Sequence, residues 1–191
     1  MKPIKTADNW DEKIKCIDKN GKWTGKYLTR KEMANKTNIF FNTVFIWFYD
    51  LSRDEVLFQR RSLQKKFNPG ELGLVGGHVS GDESFEEAIA HEAKEEINVD
   101  IKKYGKPIYI GMVKPYGDFR NFVYFYLIVT NKRIKVTKFQ KEEIESIHYV
   151  NFDKYLSDSK NGKTLMTYES HKKIFNKIKL IINKYNKYAQ K

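Results

Sequence analysis

Gly76-Gly77-His78-Val79-Ser80-Gly81-Asp82-Glu83-Ser84-Phe85-Glu86-Glu87-Ala88-Ile89-Ala90-His91-Glu92-Ala93-Lys94-Glu95-Glu96 is the stretch of this 191-residue chain that decides its fold. A glycine-rich segment runs directly into a helix. Ser84 and Glu87 have the spacing of a capping box, in which each side chain satisfies a backbone N–H at the helix start. At about 100° per residue, Phe85, Ile89, Ala93 and Ile97 form one apolar stripe. Glu92 and Glu96 fall inside or beside that stripe, with Glu95 at its edge next to Ala88. Glu86, Glu87 and Lys94 point elsewhere and read as an ordinary solvated face.

Acids on a buried face need a partner, because an unpaired buried carboxylate is costly. No lysine or arginine stands three or four residues from Glu96. Carboxylates packed this closely repel one another unless a proton or a cation holds them. A hard divalent ion with oxygen ligands, Mg²⁺, meets that need and also binds phosphates. Gly76, Gly77 and Gly81 let bare backbone come close to a ligand, and N–H groups near a helix start receive anionic oxygens. The stretch therefore predicts an enzyme of phosphoryl chemistry that orients water and neutralises a diphosphate with a metal.

Working outward, residues 39–49 are β-branched and aromatic and read as a buried strand, followed by a second strand at 55–60. Residues 72–75 form a short strand that delivers the glycines as a loop. Further strands are expected at 107–113, 122–130 and 147–152, with a shorter one at 134–136. Asp18-Lys19-Asn20-Gly21 reads as a hairpin turn. A helix over 168–188 carries a stripe of Ile174, Ile178, Ile181, Tyr185 and Tyr188. The expected fold is α+β, an α/β/α sandwich in which a mixed sheet is flanked by helices. The expected layout is an N-terminal extension over 1–36 packing on a core of 37–160, then a basic amphipathic helix over 161–191.

Composition narrows the class. Hydrophobic residues make up 40% of the chain, enough for a full core, and no apolar run approaches the ~18–20 residues of a membrane span. Residues 1–5 are not followed by an apolar signal-peptide core, so a cytoplasmic location is expected. The single cysteine, Cys16, excludes an internal disulfide framework and a cysteine-rich zinc site, and reads as a reduced, partly buried thiol. The net charge of +12 would suit nucleic acid. However, residues 171–191 hold seven lysines and no acid, so a nucleic-acid partner is disfavoured. Tyr104, Tyr116 and Phe119 could stack on a base, but with 12 tyrosines and 13 phenylalanines in the chain each reads first as a packing residue.

The helix and its approach resemble the Nudix signature, G-x5-E-x7-R-E-U-x-E-E-x-G-U, where U is aliphatic. Here it runs from Gly77 through Glu83, His91-Glu92-Ala93-Lys94-Glu95-Glu96-Ile97 and Asn98 to Val99. The resemblance implies Mg²⁺- or Mn²⁺-dependent cleavage of a nucleoside diphosphate linked to another group, a small-molecule substrate, and the dimerisation common in the family. It implies metal binding by Glu92, Glu95 and Glu96 and catalytic roles for Glu92, Glu95 and Glu83. Gly76, Gly77, His78 and Arg60 would bind substrate. Of Glu142, Glu143 and Glu145, Glu143 is the candidate downstream base. Asn98 stands where the family has glycine, and asparagine is the next-best left-handed cap. His91 replaces an arginine that steadies the glutamates, so weaker or pH-dependent activity is expected.

Gly25-Lys26, Arg30, Gln59-Arg60-Arg61-Ser62, Lys65 and Pro69-Gly70 extend the resemblance toward isopentenyl-diphosphate isomerase-like members. That isomerase needs a cysteine where this chain has Gly76, and two glutamates around an asparagine where this chain has Arg120-Asn121-Phe122. An isomerase-like protein and a catalytically inactive or RNA-binding module with this fold are the alternatives to a hydrolase.

Overall fold

The computed structural model describes residues 10–33 and 36–189, with the side chains of 188 and 189 excepted. The segment 1–5 that bears on targeting, and the side chain of the stripe residue Tyr188, therefore lie outside the described part. In chain order the elements are β1 (Lys13–Ile17), β2 (Trp23–Thr29), a one-turn α1 (Arg30–Met33), β3 (Phe41–Asp50), β4 (Glu55–Arg61), β5 (Leu72–Gly73) and β6 (Val75–His78). Then follow α2 (Phe85–Ile97), a 3₁₀ turn (Ile101–Lys103), β7 (Ile108–Val113), β8 (Asn121–Thr130), β9 (Ile144–Asn151), α3 (Phe152–Lys160) and α4 (Tyr168–Ala189).

The main sheet is mixed. β3 and β8 run parallel over ten paired residues, from Phe41 opposite Asn121 to Asp50 opposite Thr130. β7 is antiparallel to β8, and β9 is antiparallel to β4. β3 touches β4 only at the hairpin base, Tyr49–Val56 and Asp50–Glu55, while its other half pairs with β6. β4 and β6 thus share one edge of β3 and part from each other, which opens the sheet beside the glycines.

Strand alternation divides the core into two layers. Val44, Ile46, Phe48, Leu57, Tyr126 and Ile128 pack under the stripe Ile89, Ala93 and Ile97 of α2. Trp47, Tyr49, Phe58, Phe125 and Leu127 face α3 and α4. There Trp47 is ringed edge-on by Phe58, Phe152, Tyr155 and Phe175 at 5.6–5.9 Å. This is the expected sandwich of a mixed sheet between helices.

Several local expectations need correction. Residues 134–136 form no strand; Ile134 instead buries its side chain in the α2 layer from an irregular segment. The glycines do not form a loop, because Gly76, Gly77 and His78 continue β6 opposite Phe45, Val44 and Thr43. α3 was unexpected; it starts at once after β9, with Asn151 capping the N–H of Lys154. On the described part of α4 the buried residues are His171, Ile174, Phe175, Ile178 and Ile182, while Tyr185 is exposed. The buried line Ile174, Ile178 and Ile182 runs in four-residue steps, where the expected stripe alternates steps of four and three.

The N-terminal hairpin turns at Asp18–Gly21 as expected, with the Gly21 N–H donating to the Asp18 carbonyl at 3.0 Å and Gly21 at φ +80°. Isolated bridges from Ile14 to Ser80 and from Ile17 to Phe40 seat the hairpin beside the glycine strand. Cys16, on β1, is fully buried, and burial raises its thiol pKa. It is a packed side chain rather than a nucleophile.

Candidate active site

α2 begins and ends as its sequence dictates. Ser84 and Glu87 complete the capping box, and Asn98 takes the left-handed conformation (φ 54°) that ends the helix. Between these caps, Glu96 is 5% exposed, Glu92 is half-buried, and Glu95 faces solvent. Glu86 and Glu87 are exposed, as their helical position predicts.

Glu96 finds its partners across the sheet. The Gly76 N–H donates to Oε2 at 2.9 Å, and Gln59 Nε2 lies 3.2 Å from both carboxylate oxygens. Gln59 is itself anchored by donating to the Leu74 carbonyl at 3.0 Å, and its buried Oε1 finds no partner among the described residues. Burial nevertheless raises the Glu96 pKa, and the nearby Glu143 adds to the shift; the Gly76 and Gln59 hydrogen bonds and Lys65 oppose it. Glu92 is raised too, first by burial and then by Glu96, Glu12, Glu95 and Glu143. Two adjoining acids that both resist ionisation are short of positive charge.

Glycine is required where these acids meet β6. A Cβ on Gly77 would lie 2.3 Å from Glu92 Oε1. A Cβ on Gly76, at φ +147°, would lie 2.0 Å from the Val44 carbonyl oxygen and 2.9 Å from Phe45 Cα. The two positions differ in kind: Gly77 yields to a flexible carboxylate, Gly76 to fixed backbone. We expect Gly77→Ala to fold with a nearly normal melting temperature, since Glu92 can swing aside. It should weaken any divalent-ion stabilisation that a thermal-shift titration detects.

Glu83 accepts from the Ser80 N–H at 2.5 Å and sits 3.6 Å from His91 Nδ1. His91 Nε2 is 3.2 Å from Glu95 Oε2. The imidazole therefore stands between Glu83 and Glu95, within hydrogen-bond reach of Glu95 only, near the place where an arginine is expected. Among the downstream acids, Glu142 and Glu145 are exposed, whereas Glu143 turns inward to pair with the buried Lys65 at 3.1 Å.

His78 meets Arg30 Nη2 through Nδ1 at 2.8 Å, with Glu12 Oε2 at 3.6 Å. Glu12 accepts from Ser80 Oγ at 2.8 Å and pairs with Arg30 Nε at 3.5 Å. Arg60 Nη1 donates to the Gly70 carbonyl at 2.6 Å. Strand alternation places Arg60 on the face opposite Gln59, so it stands apart from Glu96. Tyr104 packs on the α2 layer. Tyr116 and Phe119 are exposed, 5.3 Å apart, and line a cleft of about 320 Å³ with Lys19, Lys114 and Phe40. Asn121 donates to Thr43 Oγ1 at 3.4 Å, and Arg120 to the Met33 carbonyl.

Sequence reasoning did not assign site roles to Gln59, Lys65, Glu12 or Arg30. Gln59 follows the apolar run Val56-Leu57-Phe58 and opens the polar stretch Gln59-Arg60-Arg61-Ser62, so strand alternation alone places it on the inward face of Leu57. Glu12 carries no local signal, Arg30 enters only through the wider resemblance, and both reach the site through the fold.

A NUDIX domain model matches residues 40–172, well over half of the chain. The chain belongs to the Nudix family. It is 27% identical to Nudix hydrolase 3 of Arabidopsis thaliana over 154 residues, covering 76% of this chain and 20% of that protein. A Nudix hydrolase of Deinococcus radiodurans is 31% identical over 97 residues, which cover 48% of this chain and 52% of that protein. The chain thus spans about a fifth and about half of these relatives' own lengths. Among solved structures, DR0079 of Deinococcus radiodurans superposes with TM-score 0.69 at 20% identity, over 85% of this chain and 97% of that one. A MutT protein of Methanosarcina mazei gives TM-score 0.54 at 21% identity, over 78% and 96%. These two establish the Nudix fold.

Divalent ions are general among Nudix hydrolases, and the residues present fit one. The donor set is all carboxylate oxygen, suited to a hard cation, and the Gly77 surface lies bare against Glu92. Among the described residues no three His, Cys, Asp or Glu side chains are gathered tightly enough to enclose an ion. Water and substrate oxygens would complete the coordination, as Mg²⁺ favours. Among the described residues no helix is long and apolar enough to cross a membrane.

Proposed function

We propose that this Nudix chain hydrolyses the diphosphate linkage of a nucleoside diphosphate joined to another group. The observation that carries the reading is the pair Glu92 and Glu96, both of raised pKa, set against a strand stripped of side chains at Gly76 and Gly77. Glu92 and Glu96, with Glu95 alongside, would hold Mg²⁺ or Mn²⁺. When bound, the ion neutralises the diphosphate and makes water a better nucleophile at neutral pH.

The chain's own groups supply the rest. The Gly76 N–H and Gln59 fix the direction of the Glu96 carboxylate before substrate arrives. The Ser80 N–H steadies Glu83, and His91 holds Glu95 beside it. Glu143, oriented by Lys65, is the general base. It takes the proton as a water oxygen bonds to phosphorus and the bridging P–O bond breaks. Tyr116 and Phe119 offer ring faces for the base of the nucleoside.

The test is a chromatographic screen for the phosphomonoester products of diphosphate cleavage, with Mg²⁺ and Mn²⁺, over nucleoside triphosphates, dinucleoside polyphosphates, ADP-ribose, nucleotide sugars, coenzyme A and capped RNA. Turnover of at least one class, abolished by chelator, is the expected result. Silence across the whole set would leave a binding module.

Titration supplies a separate check. The carboxyl pKa values of Glu92 and Glu96 are raised on folding, so their contribution is intact below the unfolded value and is lost as pH rises through the folded values. The metal-free protein should therefore lose stability from these groups above about pH 5. Mg²⁺ competes with those protons. Its thermal stabilisation should be larger at pH 8.5 than at pH 6; equal shifts at both would remove these acids from the metal site.

A further inference from the structure

We propose that Arg30 is a positioning residue that locks His78 in its Nε2–H tautomer, so that a neutral imidazole donates a hydrogen bond to an anionic oxygen of the diphosphate. The proposal rests on the diphosphate reading above and adds the N-terminal hairpin to the site.

A guanidinium has donors only. With Arg30 Nη2 at 2.8 Å, His78 Nδ1 must be the acceptor, and the ring proton then resides on Nε2. Glu12 is farther from Nδ1, at 3.6 Å, and its carboxylate is already engaged by Ser80 Oγ and Arg30 Nε. Phe41 closes one side of the ring edge-on at 5.0 Å. Among the described residues no partner is found for Nε2, and that atom is not sealed from solvent. The one donor of the ring is therefore free to meet a ligand.

The location suits an anion. His78 follows Gly77, which lies against Glu92. Glu12 acts on the titration of Glu92, and Lys65 on those of both His78 and Glu96, so these groups lie near one another. Burial, Arg30 and Lys65 hold the imidazole neutral against the pull of Glu12. A neutral donor pre-aimed by a guanidinium binds an anionic oxygen without bringing an exchangeable charge of its own.

Long-range ¹H–¹⁵N spectra of the ¹⁵N-histidine-labelled protein test the tautomer directly, with the His78 signal identified by its loss in His78→Gln. The expected signature is a bare Nδ1 and a protonated Nε2, the latter shifting on addition of methylenediphosphonate with Mg²⁺. Arg30→Met should release the lock and weaken methylenediphosphonate binding roughly tenfold, the size of one hydrogen bond to a charged acceptor. Arg30→Lys should recover part of both effects. His78→Gln, which keeps a donor near the Nε2 position, should bind better than His78→Asn, which does not. With any substrate found by the screen, Arg30→Met should raise KM more than it lowers kcat. Thermal unfolding of each variant reports whether the hairpin stays folded. A wild-type His78 protonated on Nδ1 overturns the proposal, as does an Arg30→Met protein with unchanged tautomer and unchanged binding. A locked tautomer with Arg30-dependent diphosphonate binding, in a protein that hydrolyses nothing, would sustain this proposal while the hydrolase reading fell.

Discussion

Glu96→Gln is expected to lower metal-dependent turnover roughly a hundredfold or more, since several kcal/mol of charge stabilisation depend on a correctly held ion. Folding should survive. Glutamine keeps a carbonyl oxygen for the Gly76 N–H, and the change removes a buried acid whose ionisation burial already opposes. The metal-free variant should therefore melt at the wild-type temperature or above it, while the extra stabilisation by Mg²⁺ shrinks. Activity and metal-free stability moving in opposite directions is the informative outcome. If Glu96→Gln turned over substrate at near wild-type rate, Glu96 would have no place in the chemistry.

The second large effect concerns Gly76. A cysteine at Gly76, which the isomerase chemistry would need, should destabilise the protein rather than confer isomerase activity. The added Cβ would enter space held by the Val44 carbonyl and Phe45 Cα, at a φ that L-residues rarely adopt. Both obstacles are backbone on the central strand of the sheet, so neither yields cheaply. A cost on the order of 3 kcal/mol or more is expected, which lowers the melting temperature by about 10 °C in a domain of this size. A Gly76→Cys protein that melts normally would show that β3 and β6 can move apart, and would reopen the isomerase alternative.

These predictions mark where the sequence was legible. α2 could be read closely because capping, periodicity and termination each leave a residue-level trace, at Ser84–Glu87, at the Ile89–Ala93–Ile97 stripe, and at Asn98. The separation of buried Glu92 and Glu96 from solvated Glu86 and Glu87 followed from the same geometry. β6 was misread because glycine is depleted from strands on average. Here the lack of a side chain is the local requirement, imposed by a carboxylate from a helix that follows in sequence. α3 was missed because its signal is a single cap and two turns of helix following a strand without a break. The Glu12–Ser80 and Arg30–His78 pairs are 68 and 48 residues apart in sequence. No window of local pattern spans such distances, so half of the proposed site could be seen only once the hairpin was in place.

That hairpin also carries the chain's single thiol. Cys16 lies between Glu12 and Arg30 in sequence and is fully shielded while β1 stays seated. A thiol reagent in solution can reach it only when the hairpin lifts or the whole domain unfolds. The rate of Cys16 modification therefore times the opening of this edge of the site, without substrate, metal or turnover, and a ligand gripped partly by the hairpin should slow that clock.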